Sequence, residues 1–368
     1  MAKGFLKKGA TILVLLIFAL PQFPIALASE QQGSSSWAIQ WTRDTGDYGI
    51  ARSLDLASDG SIFVSYTEGD FSLTKINPQG QVIWNRKIIG LNLMKVGMSG
   101  ISLDNPSSVV SLPDGRCLLA NGSLIFAFSE DGQLLWSRFY ETFQDSYWLP
   151  LYFRSLSLMP DGNLLAAGPL GFDSAFVLCL NQDGSIVWGN TYNLVWGGVI
   201  PRSPSGYWLV GNSLGYGSAD QYNGIKLIAI TEKGDIERSL IISDDLRKKV
   251  PTYGWLAGAC TAPEGDLFLG QVRYDRGFGV TFIRLSSDGE KVVWTKWLGG
   301  DLGAGAGGVF TIGADQTSDG GAVFCGGTTD FDGDNFYNTE NPLIVKVSPE
   351  GSLDFIETVG DVTKKESS

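Results

Sequence analysis

The chain has 368 residues, with 39 acidic against 27 basic side chains and a net charge of −12. Such a surface repels phosphate backbones, so nucleic acid is not an expected partner. Histidine is absent, which removes Ser-His-Asp and Cys-His nucleophile systems and every zinc site built on imidazole.

Lys3, Lys7 and Lys8 precede an unbroken apolar run over residues 10–20, and Ala26-Leu27-Ala28 offers a small-residue cleavage site. That order reads as a secretory signal peptide over 1–28, cleaved before Ser29. The run is too short to span a bilayer. The alternative is an uncleaved anchor, interrupted by Pro21 and Pro24, and only that would bring the protein to a membrane. The expected compartment is therefore secreted or extracytoplasmic, in the cell envelope. Cleavage removes three of the 27 basic residues and none of the 39 acidic ones. A short polar linker, 29–36, leads to a β-propeller over 37–360, and a polar tail, 361–368, ends the chain.

Residues 37–43 (WAIQWTR) read as a Trp-bearing strand ahead of the first repeat. Internal repetition then sets the fold. One series of turns runs Asp59-Gly60, Asp114-Gly115, Asp161-Gly162, Ser205-Gly206, Glu264-Gly265 and Asp319-Gly320. A second runs Gln79-Gly80, Asp131-Gly132, Asp183-Gly184, Lys233-Gly234, Asp288-Gly289 and Glu350-Gly351. Between them lie runs of four to seven residues rich in Val, Ile, Leu and aromatics, the pattern of strands in hairpins. Four strands per period predict an all-β propeller of about six four-stranded blades. Seven is the alternative if the 37–43 strand belongs to an irregular extra blade.

Trp84, Trp136, Trp188 and Trp294 mark the fourth strand, with Arg238 and Phe355 at the matching places in repeats four and six. Periodic Trp of this kind is expected to wedge neighbouring sheets rather than present a ligand platform. Removal of Trp136 is expected to cost roughly 3–5 kcal/mol. Cys117, Cys179, Cys260 and Cys325 each fall in a strand of a different repeat. They read as buried thiols, with disulfides left open.

Gln316-Thr317-Ser318-Asp319-Gly320-Gly321 with Leu343-Ile344-Val345-Lys346-Val347, and the stretch 176–188, resemble bacterial and archaeal secreted propeller repeats. In the broad sense these are quinoprotein-like (PQQ-like) propellers. The resemblance covers about residues 37–359 and implies fold rather than function. Quinone-binding members also use a disulfide between adjacent cysteines. This chain has no adjacent pair, so the resemblance carries no quinone cofactor over.

Alternating strands put the tight turns on one face and the connections between second and third strands, with the links between blades, on the other. That long-loop face is where binding residues are expected. Its candidates are Tyr147 and Trp148 in 139–153, Tyr216 and Tyr222 in 212–223, Tyr274 in 271–279, and Asp332 and Tyr337 in 328–341. Aromatics beside carboxylates and amides suit a protein, peptide or glycan; the competing role is to cap the blade ends. Asp330, Asp332 and Asp334 alternate as oxygen donors do in half of a calcium loop, although their glycine is misplaced for an EF-hand. No other cofactor is expected. The Gly-rich run 299–308 reads as a link between blades, because no helix follows to complete a phosphate cradle. Asn121-Gly122-Ser123 is a glycosylation sequon by pattern.

The reading that follows is a non-enzymatic binding or interaction propeller. Its alternative is a carboxylate-dependent glycan hydrolase or lyase on the same scaffold. No catalytic residue is assigned.

Overall fold

Glycine with φ near +80° closes a hairpin that an L side chain would strain, and the blades are built on that turn. At the first turn of blade 1 the Gly60 N–H donates to Ala57 O (2.9 Å) and the Ala57 N–H to Ser61 O (2.8 Å). Gly60 sits at φ 79°. The Asp59 carboxylate locks the bend by accepting the Ser61 N–H at 2.8 Å and its hydroxyl at 3.0 Å. The same pair of backbone bonds recurs at Gly80, Gly115, Gly132, Gly162, Gly184, Gly234, Gly265, Gly320 and Gly351, and at Gly289 with one extra residue, the Ser286 N–H donating to Lys291 O.

In the computed structural model these turns generate six four-stranded antiparallel sheets arranged in a ring, a six-bladed β-propeller. The described residues are 11–12, 43–44, 50–68, 70–88, 108–144, 147–171, 174–202, 205–214, 222–242, 255–273, 279–299, 309–329 and 340–358, and no helix occurs among them. The blades take residues 50–88, 108–139, 155–193, 195–241, 255–299 and 309–358, each with its strands in chain order.

From blade 1 through blade 6 the first strand lies innermost, packed beside the first strand of the following blade. Side chains and backbone stitch these inner strands together. The Val109 N–H donates to Ser53 Oγ (3.1 Å), the Leu156 N–H to Ser108 Oγ (3.0 Å), and Thr261 Oγ1 to Pro201 O (2.6 Å). Between successive blades, alternate side chains of facing sheets form an apolar layer. Trp208, Val210, Leu227, Leu267, Leu269 and Ile283, for example, fill the layer between blades 4 and 5.

The fourth-strand tryptophans are wedges. Trp84 is only 7% exposed. Its indole N–H donates to Glu130 O of blade 2 at 2.9 Å, and a Cβ on Gly132 would stand 2.7 Å from its Cδ2. Trp188 and Trp294 make the same bond to Glu232 O and Pro349 O. Register confirms the match of Arg238, which pairs with Ala229 as Trp188 pairs with Cys179. Its guanidinium still reaches the next blade, at Asp288 O and Glu290.

The third-strand lysine of the repeat has a structural task too. Lys75 and Lys346 are 2% and 4% exposed, and each turns back to its own blade's first turn, at Asp59 (3.3 Å) and Asp319. Arg284 does the same with Glu264 and Asp266 at 2.7 and 2.9 Å.

The count of six blades is as expected, and other expectations need correction. Blade 6 is completed by its own fourth strand, Leu353–Thr358, so the count is six and no sheet needs the spare N-terminal strand. Residues 37–42 lie outside the described residues. Arg43–Asp44 pairs instead with Thr11–Ile12, apart from the six sheets. The four cysteines are unpaired, and Cys325 is exposed rather than buried, because its partner at that level of the sheet is Gly313. Asn121 is 3% exposed in a tight hairpin, so the sequon is sterically closed to a glycan. The connections between second and third strands are short in blades 1 to 3, as at Glu68–Asp70 and Asn121–Leu124. They lengthen only from blade 4 onward.

Candidate functional site

Because each chain segment reverses at a tight turn, the opposite ends of the strands gather on one rim. The extra hairpin between blades 2 and 3 rises from that rim, its arms Glu141–Gln144 and Tyr147–Pro150. Tyr147 pairs with Gln144 and Trp148 with Phe143. The hairpin stands on a locked base. The Tyr140 N–H donates to Ser123 O (2.9 Å), the Leu151 N–H to Tyr140 O (3.1 Å) and the Phe153 N–H to Gly122 O (2.8 Å). The Tyr140 hydroxyl donates to Gly184 O at 2.7 Å, and burial pushes that hydroxyl up to about 12, so it remains a donor. Its ring meets Phe153 edge-on at 5.3 Å.

Tyr222 opens the third strand of blade 4, opposite Leu214. Tyr216, Tyr274, Asp332 and Tyr337 lie outside the described residues, as do Asp330 and Asp334 of the candidate calcium loop. The strand ends that flank them, at Leu214, Arg273 and Thr329, reach the same rim as the hairpin.

Just below that rim lies a polar group that the sequence did not reveal. Asn212, Gln271 and Thr281 are 2%, 1% and 3% exposed, and Asn212 Oδ1, Gln271 Oε1 and Thr281 Oγ1 have no hydrogen-bond partner among the described residues. Strand alternation turns all three into one interface. Trp208 and Val210 place Asn212 on the blade 5 side of its strand. Leu267 and Leu269 place Gln271 on the blade 4 side, and Ile283 and Leu285 place Thr281 there too. Gln271 and Thr281 are direct cross-strand partners. Each such orphan costs about 1–3 kcal/mol.

At the tight-turn end of the axis, the first strands of blades 4, 5 and 6 frame a cavity of about 460 Å³, lined in part by Ile200, Arg202, Cys260, Thr261, Asp315 and Gln316. Asp315 is open to solvent yet surrounded by protein. Burial pushes its carboxyl upward, the Gln316 N–H opposes that, and the negative charge of Asp55 adds to the rise. Asp55 itself accepts the Ser111 N–H and hydroxyl, both at 2.6 Å. The Cys260 thiol is pushed up by burial and then by Asp315, so it stays protonated and inert at neutral pH. Arg202 is committed to Glu237 and lies 5.7 Å over the Trp208 ring.

No known family and no curated protein matches the sequence. Solved structures match the fold. The WD40 domain of Pan2 from Neurospora crassa aligns at 10% identity with a TM-score of 0.50, over 82% of this chain and 84% of its own. A luciferin-regenerating enzyme aligns at 12% identity and 0.49, over 84% and 95%. BamB from Moraxella catarrhalis aligns at 13% and 0.44, over 88% and 80%. Likeness at this level concerns the propeller fold alone.

Proposed function

We propose that this protein is a non-enzymatic binding propeller that works outside the cytoplasm and holds a protein, peptide or glycan on its long-loop rim. The leader over 1–28 supports the compartment. The observation that carries the binding role is the trio Asn212, Gln271 and Thr281, buried and, among the described residues, without partners for their side-chain oxygens, close to the strand ends at Leu214, Tyr222 and Arg273 from which the segments bearing Tyr216 and Tyr274 continue. All three are neutral and rich in hydrogen-bonding capacity. They suit the amides of a peptide or the hydroxyls of a sugar, whereas a buried charge there would lack a counter-charge. The locked hairpin with Tyr147 and Trp148 supplies an aromatic element on the same rim, and Asp332 and Tyr337 belong to its blade 6 sector. Calcium would be held in that sector by Asp330, Asp332 and Asp334.

Glycan and peptide arrays probed with protein beginning at Ser29, with and without calcium, test this reading. Retention of a defined glycan or peptide supports it, and calcium-dependent retention supports the metal. Chemical conversion of an array member without retention overturns it in favour of carboxylate catalysis.

A further inference from the structure

We propose that the axial cavity at the tight-turn end is a second binding site, independent of the rim, for a small organic ammonium ion with a compact apolar body.

The cavity, about 460 Å³, lies within the range of small-molecule sites, which pair mostly apolar walls with a few placed polar groups. Its walls include Ile200, Pro201, Ala259, Ala262, Pro263 and Ala314.

Against these walls stands one carboxylate. Among the described residues Asp315 accepts a single hydrogen bond, from the neighbouring Gln316 N–H at 2.8 Å, and no Lys or Arg pairs with it. The other charged groups nearby are spoken for. Arg202 is paired with Glu237, and Asp55 is held by Ser111. Thr261 directs its hydroxyl proton to Pro201 O at 2.6 Å. The field in the cavity is therefore negative on balance, from Asp315 reinforced by Asp55, because Arg202, the one cationic side chain among the described residues that line it, is already neutralised by Glu237. An ammonium group supplies that cation in partly desolvated surroundings, where a charge-assisted bond is strongest. Its apolar body covers alanine and proline walls that offer no hydrogen bonds. An anion would meet the Asp315 carboxylate, and a neutral ligand would leave it unpaired.

Calorimetric titration of the full protein with phenethylammonium chloride, 2-phenylethanol and sodium phenylacetate tests the site. The ammonium probe is expected to bind at least about tenfold more tightly than the alcohol, a gap of about 1.4 kcal/mol, and the carboxylate not at all. Asp315→Asn should abolish the preference, Asp315→Glu should retain part of it, and Asp114→Asn, remote from the cavity, should leave it unchanged. Equal binding of all three probes overturns the proposal, as does undiminished ammonium binding by Asp315→Asn. Displacement of the probe by calcium chloride, lost in Asp315→Asn, would overturn it in favour of an inorganic cation. Circular dichroism on each variant separates lost binding from lost fold.

Discussion

Replacing Trp84 with alanine should destabilise the propeller more than any other single fourth-strand change. The indole is 7% exposed, wedged between Phe63 at 5.8 Å and Phe128 at 6.5 Å, and seated on Gly132 of the next blade. A buried aromatic of this kind covers about 150–250 Å². At about 25 cal/mol per Å² that is roughly 4–6 kcal/mol as an upper bound, and core Trp→Ala changes cost about 3–5 kcal/mol. The lost bond to Glu130 O adds about 1 kcal/mol or less, because that carbonyl lies near solvent and water replaces the donor. Urea unfolding followed by far-ultraviolet circular dichroism is the assay. With a denaturant slope of about 1–3 kcal/mol per molar, the midpoint should fall by roughly 1 M or more. Trp136 is only half-buried, so Trp136→Ala should cost less than Trp84→Ala. An unchanged midpoint for Trp84→Ala, or the reverse order of the two, would refute the wedge reasoning.

Gly132→Ala should also destabilise, by more than about 1 kcal/mol, because φ 79° strains an L residue and the new Cβ meets Trp84 at 2.7 Å; the same urea titration measures it. Asp315→Asn should raise the unfolding midpoint at neutral pH. Burial raises the folded carboxyl above the usual carboxylate range, so wild-type stability is full below the unfolded pKa and falls as pH rises through the folded pKa. The gain should shrink to nothing in acid, and a gain that is constant with pH would contradict it. N-terminal sequencing of exported protein should begin near Ser29, whereas an intact Met1 in a membrane fraction would indicate an anchor.

The blade plan was legible because its chemistry is local. Each Asp-Gly-type turn demands a residue tolerant of positive φ, and each flanking strand is short and apolar, so spacing alone laid out four strands per repeat. Even the substitution of Arg238 for a wedge tryptophan was readable, since register follows the turn. The candidate sites were not legible, because they are made across blades. Asp315 stands two residues before Thr317 and its turn, where a polar residue looks ordinary; its significance arises from Cys260 and Arg202, supplied by two other blades. Asn212, Gln271 and Thr281 became a group only once alternation within three strands was fixed by their apolar neighbours. The exposure of Cys325 and the closure of Asn121 depend likewise on what packs opposite each residue, which periodicity does not encode.

The most direct test of the account is the binding of an array-identified ligand to two rim variants and one turn variant. Gln271→Leu and Trp148→Ala should each weaken binding at least about tenfold, the loss of about 1.4 kcal/mol expected when a contact is removed. Their urea midpoints should stay near or above that of the parent, since leucine relieves the unpaired Gln271 oxygen and Trp148 lies on an added hairpin outside the six sheets. Asp114→Asn, at a tight turn on the far face, should bind normally. Normal binding by both rim variants together with loss in the turn variant would contradict the placement of the ligand on the long-loop rim.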